Sequence, residues 1–181
     1  MAANEILSLA IGSLSFLKPG EKLILANEVQ DEAAFRSLSL YDVECVVRRV
    51  LRMREFSPSA ILTRAEAVSR YVRSRRIGIL TPFDAEYPEL LKEIYDPPFL
   101  LFFRGEVSAF QKGLLSVVGT RQPTGKGMDA AYRLGFECGM QRIGVASGLA
   151  RGIDTAAHRG NLDGCGKTVA VLGCGIDRVY P

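Results

Sequence analysis

Apolar positions along the chain change their period near residue 76, and the change predicts two kinds of structure. Up to that point they recur at helical spacing. Val43, Val46, Val47, Val50 and Leu51 share one helical face, while Arg48, Arg49 and Arg52 fall elsewhere on its surface. Ser39 followed by Asp42 has the form of a capping box that would start this helix. Thr63 followed by Glu66, after Ser57-Pro58, signals another start, with Val68, Tyr71 and Val72 as its apolar positions. An earlier helix is expected to begin near Pro19-Gly20. Residues 1–76 therefore read as a small all-helical domain.

Beyond Arg76 the apolar residues gather into short runs. Ile77–Leu80 and Phe99–Phe103 are separated by proline-marked turns and a short helix around Glu89–Ile94. From Leu114 onward the order is strand "LLSVVG", helix "GKGMDAAYRLGFECGMQ", strand "IGVASG", helix "IDTAAHRGNLDG" and strand "KTVAVLG". Unbroken apolar strands alternating with helices imply a parallel sheet with helices on both faces, the Rossmann-like α/β class. Residues 77–181 form this second domain. Right-handed crossovers bring the strand-to-helix turns to one edge of the sheet, so its glycine-rich turns become neighbours. A doubly wound sheet carries five or six strands, and the sequence stops at "DRVYP" after the third of this series. The expectation is a sheet truncated at the C-terminus, in a chain that is part of a longer protein.

Charge adds a feature that periodicity does not show. The net charge is +3, but residues 1–47 hold three basic and seven acidic side chains, residues 48–76 nine and two, and residues 77–181 eleven of each. The arginine-rich stretch could meet a polyanion or a protein partner, or be a solvated helix face. Cys45, Cys138, Cys165 and Cys174 form no CxxC pair, and His158 is the single histidine, so a zinc site has little to draw on. The cysteines read as small buried thiols. No apolar run approaches the ~20 residues needed to cross a bilayer, and the first residues lack the basic region of a secretory signal. A cytoplasmic location without membrane association is expected.

The chemistry lies in the turns. "VVGTRQPTGKG", Val117 to Gly127, is not a Walker motif: Gly119 to Gly125 is one residue too long, and Lys126 is followed by Gly127 instead of Ser or Thr. Gly125-x-Gly127-x-x-Ala130 matches a relaxed dinucleotide fingerprint, yet it lies several residues past the strand with Pro123 between, which weakens a nicotinamide-cofactor reading. No cofactor is expected. Backbone amides at a strand end and at a helix N-terminus bind anions, and Arg121 adds a planar, permanently charged fork. In the second turn, "VASGLARGIDTAAHRG", Ser147 and Gly148 end a strand, and Gly152 permits the tight turn into the helix. Gly119, Thr120, Arg121, Ser147 and Gly148 are thus the candidate phosphate-binding residues, with Lys126 and Arg151 beside them. A competing partner for Arg121 is a carboxylate such as Asp154, which otherwise reads as a helix cap. No Ser or Cys nucleophile accompanies His158 in a recognisable elbow, so it reads as a packing or surface histidine and the chain as a non-enzyme.

These turns, together with "TVAVLGCGIDRVYP" and, upstream, "ILTPFDAEYPELLKEIYDPPFLLFFRG", resemble the bacterial DNA-processing protein A family, DprA or Smf. The resemblance runs from Arg76 to the end. The segment before it is similar in kind to the SAM-like domain that often precedes that family's core. It implies an extended Rossmann-like domain that binds single-stranded DNA in DNA uptake and natural transformation. The family also helps to load the recombinase RecA onto incoming strands, dimerises when full length, and hydrolyses no substrate. By motif, Gly119, Thr120 and Arg121 would hold a backbone phosphate, with Ser147 and Gly148 as the opposite wall and Arg151 and Lys126 adjacent. An alternative is a Rossmann-like nucleotide-binding enzyme or sensor, similar to the phosphoribohydrolases, whose PGGxGTxxE motif is absent from this chain. In 114–181 the aromatics available for base stacking are Tyr132, Phe136 and Tyr180.

Overall fold

The computed structural model describes residues 4–53, 55–109 and 113–178. It divides into two compact units, Met1–Arg104 and Gly105–Pro181.

The first unit opens with five helices, α1 (Glu5–Gly12), α2 (Pro19–Glu28), α3 (Glu32–Ser37), α4 (Leu40–Val47) and α5 (Pro58–Ser74). Local chemistry sets their starts. Asn4, Asp31 and Ser57 accept backbone N–H bonds at the heads of α1, α3 and α5, and α2 begins with Pro19. The expected Ser39–Asp42 capping box is present on α4, with the Ser39 amide donating to Asp42 at 2.8 Å. Leu9, Ile11, Leu25, Phe35, Val43 and Leu62 make the centre of the core between these helices.

Two expectations fail here for tertiary reasons. The helix through Val43 stops at Val47 instead of continuing to Leu51, because Arg48 turns left-handed at φ 53°. The chain after it is held by Glu44, whose carboxylate accepts the Leu51 amide at 2.6 Å, and by Arg49, which reaches Glu21 and the Phe16 carbonyl. Leu51 stays buried while Val50 is 77% exposed. Helix α5 starts at Pro58, five residues before the expected Thr63, and buries Leu62, Ala65, Ser69 and Val72. Val68 and Tyr71, expected inside, are each 41% exposed.

After α5 come β1 (Gly78–Leu80), the short helix α6 (Glu89–Lys92) and β2 (Leu101–Phe103), with β1 and β2 antiparallel and Ile79 opposite Phe102. Phe99 is buried in the helical core, and Ile79 and Leu100 pack against it. Leu100 lies so close to α1 that a Cβ on Gly12 would sit 2.1 Å from its Cδ1. This packing draws 77–104 into the first compact unit, whereas the sequence pattern places a boundary at residue 76.

The second unit carries a short 3-10 turn at Val107–Ala109, then β3 (Leu114–Ser116), α7 (Gly125–Met140), β4 (Gly144–Ser147), α8 (Ile153–Asp163) and β5 (Thr168–Ala170). The strands are parallel in the order β3-β4-β5, a Rossmann-like arrangement. Because that order runs without reversal, right-handed crossovers bring α7 and α8 to one face among the described residues, where the two helices pack on each other. Their approach is set by glycine. A Cβ on Gly160 would lie 2.0 Å from the Tyr132 carbonyl oxygen, and one on Gly135 2.2 Å from that of Ala157. Val117, Cys138, Val145 and Ala157 form the core beneath, with Ile153 against it. Of the four cysteines read as buried, only Cys138 is; Cys45, Cys165 and Cys174 are exposed.

Candidate nucleic-acid interface

The turns after β3 and β4 meet at the carboxyl edge of the parallel sheet, and one buried carboxylate joins them. Asp154, in the first turn of α8, is 5% exposed. Its Oδ1 accepts the Gly119 amide at 3.2 Å, and its Oδ2 accepts the amides of Gly148 at 3.2 Å and Ala150 at 3.4 Å. Asp154 is therefore neither the end cap of α8 nor a partner for Arg121. It is a strut across two strand ends, its carboxylate accepting three backbone N–H groups at a part-buried joint.

Four further contacts close the joint. The Ser147 hydroxyl donates to the Val117 carbonyl, and the Ile153 amide donates to the Thr120 carbonyl at 3.3 Å. Gly152 has φ +89°, and a Cβ there would meet the Thr120 oxygen at 2.4 Å, so the tight turn expected at this position admits glycine for two reasons. A Cβ on Gly119 would lie 2.7 Å from Ile153 Cβ. The first turn is ordered internally as well: Thr120 Oγ1 accepts from the Gln122 amide, and Thr124 caps α7 by accepting from Gly127.

The candidate residues thus separate into two groups. Ser147 is buried with its one hydroxyl proton committed to Val117, and the amides of Gly119 and Gly148 point at Asp154. The convergence of this hydroxyl and these two amides on a bound phosphate, expected from the sequence, is replaced by an internal anion. Thr120, Arg121, Lys126 and Arg151 are exposed on the outer side of the joint, and among the described residues none of the three cations has an ion-pair partner. The Arg121 backbone lies against Gly152, since a Cβ there would be 3.0 Å from the Arg121 carbonyl carbon. Arg121 and Arg151 consequently flank one point of contact between the turns. Lys126 stands in the first turn of α7, the positive end of that helix dipole.

Behind the joint, His158 is buried. The Thr168 hydroxyl donates to the Val145 carbonyl at 2.9 Å, so His158 Nδ1 donates to Thr168 Oγ1 and Nε2 is left as an acceptor without a hydrogen-bond partner among the described residues. Burial pushes the imidazole below its ordinary value, and the charge of Asp154 opposes the shift. His158 packs α8 against the sheet, as the residue's surroundings in sequence suggest. Of the aromatics considered for stacking on bases, Tyr132 and Phe136 stack on each other at 6.5 Å, and the Tyr132 hydroxyl donates to Asp163; Tyr180 lies outside the described residues. Among the described residues no group of three or more acidic, histidine or cysteine side chains could hold a metal ion, and no helix is long and apolar enough to cross a membrane.

The DNA recombination-mediator protein A family model matches residues 78–181, more than half of the chain and all of the region just described. The chain belongs to this family. It is 42% identical over 97 residues to DNA processing protein DprA of Streptococcus pneumoniae, a match covering 52% of this chain and 33% of the relative. With the Bacillus subtilis DprA it shares 36% identity over 110 residues, 60% of this chain and 37% of the relative. With Protein Smf of Borreliella burgdorferi the match extends over 173 residues at 27% identity, 96% of this chain and 54% of the relative. The chain therefore spans between a third and about half of these relatives' lengths. The crystal structure of the S. pneumoniae DprA aligns over 100% of this chain and 61% of its own, with TM-score 0.67 and 29% identity. A Helicobacter pylori DprA structure, described by its single-stranded DNA binding mode, aligns over 59% of this chain and 46% of its own, with TM-score 0.52 and 25% identity.

Proposed function

We propose that the protein binds single-stranded DNA at the joint between the β3 and β4 turns, without breaking a bond in it. The observation that carries this reading is the pair of exposed guanidinium groups, Arg121 and Arg151, on turns that Asp154 and Gly152 lock together. Guanidinium forks suit phosphate oxygens, and the turns that carry them, being already locked together, lose little backbone freedom on binding. Thr120 and Lys126 add a hydroxyl and a second type of cation. Gly119, Ser147 and Gly148 take part by holding the turns through Asp154 and Val117 rather than by touching phosphate. Such a site grips the repeating backbone and reads little base sequence. Membership of the recombination-mediator family supports the reading, as does the fold shared with a relative described by its single-stranded DNA binding.

In the whole protein the role we infer is in DNA uptake and natural transformation, assisting the loading of RecA recombinase onto incoming strands in the cytoplasm, with dimerisation through parts of the family core beyond this chain. Residues 1–76 act as the SAM-like domain ahead of the DNA-binding core. The test of the site is a fluorescence-anisotropy titration with a labelled oligothymidylate over a range of salt. Binding weakens as salt rises, since phosphate neutralisation releases counterions, and Arg121→Ala removes one contact and lowers the slope of log K against log salt by about 0.7. Equal affinity and slope in Arg121→Ala would reject the site.

A further inference from the structure

The arginine-rich stretch 48–76 is not used by the site just described, and the structure sorts its charges. Arg49 is committed to Glu21, with both Nε and NH2 donating at 2.8 Å, and Arg73 to Glu5 at 3.1 Å. Those two hold helices together. Arg64, Arg70, Arg75 and Arg76 are exposed, and none has an ion-pair partner among the described residues. On α5 the buried positions Leu62, Ala65, Ser69 and Val72 define the inner face, so Arg64, Tyr71 and Arg75 fall on the outer one, with Val68 beside them. Arg75 lies over the Tyr71 ring, its guanidinium carbon 5.4 Å from the centroid, and Tyr71 and Val68 keep 41% of their surface in solvent.

This face has the make-up of a single-strand platform: an aromatic ring with a stacked guanidinium, flanked by cations spread about 16 Å along the helix axis from Arg64 to Arg75. An acidic protein segment would be drawn by the same charge, but it has no use for a flat ring and guanidinium plane. We propose that the outer face of α5 is a second contact for single-stranded nucleic acid, with Tyr71 and Arg75 stacking a base and Arg64 and Arg70 meeting phosphates. The proposal rests on the reading that this protein binds single-stranded DNA, and it assigns part of that binding to the helical unit.

The test uses the whole purified protein with labelled oligothymidylate, comparing Arg64→Gln/Arg70→Gln/Arg75→Gln with Arg121→Ala. If the two phosphate contacts are lost, the salt slope falls by about 1.4 and the affinity at low salt by at least about tenfold. The same three positions changed to Lys keep the slope, and Tyr71→Phe binds at least fivefold better than Tyr71→Ala, by roughly 1 kcal/mol of retained stacking. The three arginine side chains are exposed, so their replacement should change thermal unfolding little; should a variant unfold early, the Lys variant and Tyr71→Phe still decide the matter. An unaltered slope in the triple Gln variant overturns the proposal even where Arg121→Ala weakens binding, which leaves the first site standing. Loss of binding to polyglutamate with unaltered DNA binding would make the face a protein-docking surface and equally overturns it.

Discussion

Asp154 offers the sharpest test of how the joint works, because its charge and its hydrogen bonds predict opposite effects on DNA binding. The change to Asn keeps the shape and removes the charge. With the amide oxygen placed at Oδ2, the bonds from Gly148 and Ala150 survive as neutral ones, each worth about 1 kcal/mol less than a charge-assisted bond. At the Oδ1 position an NH2 group then faces the Gly119 N–H, donor against donor, at a cost of about 1–3 kcal/mol. Relief from burying a charge offsets part of this, leaving a net loss of about 2–3 kcal/mol. For a unit of this size that lowers its melting temperature by roughly 10–20 °C. If Asp154 acts as a strut, Asp154→Asn also lets the turns separate and lowers DNA affinity, measured well below the new melting point, by about fivefold or more. If it acted only as a nearby negative charge, its removal would strengthen binding of a polyanion. A variant with unchanged melting temperature and tighter DNA binding would refute the strut.

Three other outcomes follow from the same geometry. Gly160→Ala places a methyl group 2.0 Å from the Tyr132 carbonyl oxygen, so α7 and α8 must part; a loss of more than about 3 kcal/mol is expected in urea unfolding, and a smaller loss from Leu162→Ala on the exposed side of α8. Burial holds the His158 imidazole below its ordinary 6.5, so the unfolded chain takes up the proton first: stability is full above that pH and falls as pH drops through the window beneath it, and His158→Gln should flatten that part of the urea-midpoint profile. Glu21 is lowered from 4.5 to about 2, chiefly by its hydrogen bond with Arg49, so its contribution is present above 4.5 and disappears as pH falls towards 2; Glu21→Gln should remove that acid-side slope in a thermal melt series.

The chain's own pattern was enough to determine the elements whose causes are local. The Ser39–Asp42 capping box, the start of α2 at Pro19, the alternation of strands and helices after residue 114 and the glycine turn at Gly152 each depend on residues within one turn of one another. Right-handed crossover then made the two turns neighbours, and Arg121 and Arg151 could be named as candidates. What it could not determine depends on atoms far apart in sequence. Asp154 looks like any acidic residue in the first turn of a helix, and only the meeting of Gly119 with Gly148 turns it into the anion that occupies their amides. Val68 and Tyr71 have the residue types of a core position, yet the side of α5 that is buried was decided by the neighbouring helices, and they are left outside. Arginines along the chain carry the same formal charge, but Arg49 and Arg73 are spent on carboxylates brought from α2 and α1, while Arg64, Arg75 and Arg121 have no ion-pair partner among the described residues. Local propensity acts through bonds between near neighbours, whereas burial and pairing are set by packing, which brings distant groups within reach and excludes water from them.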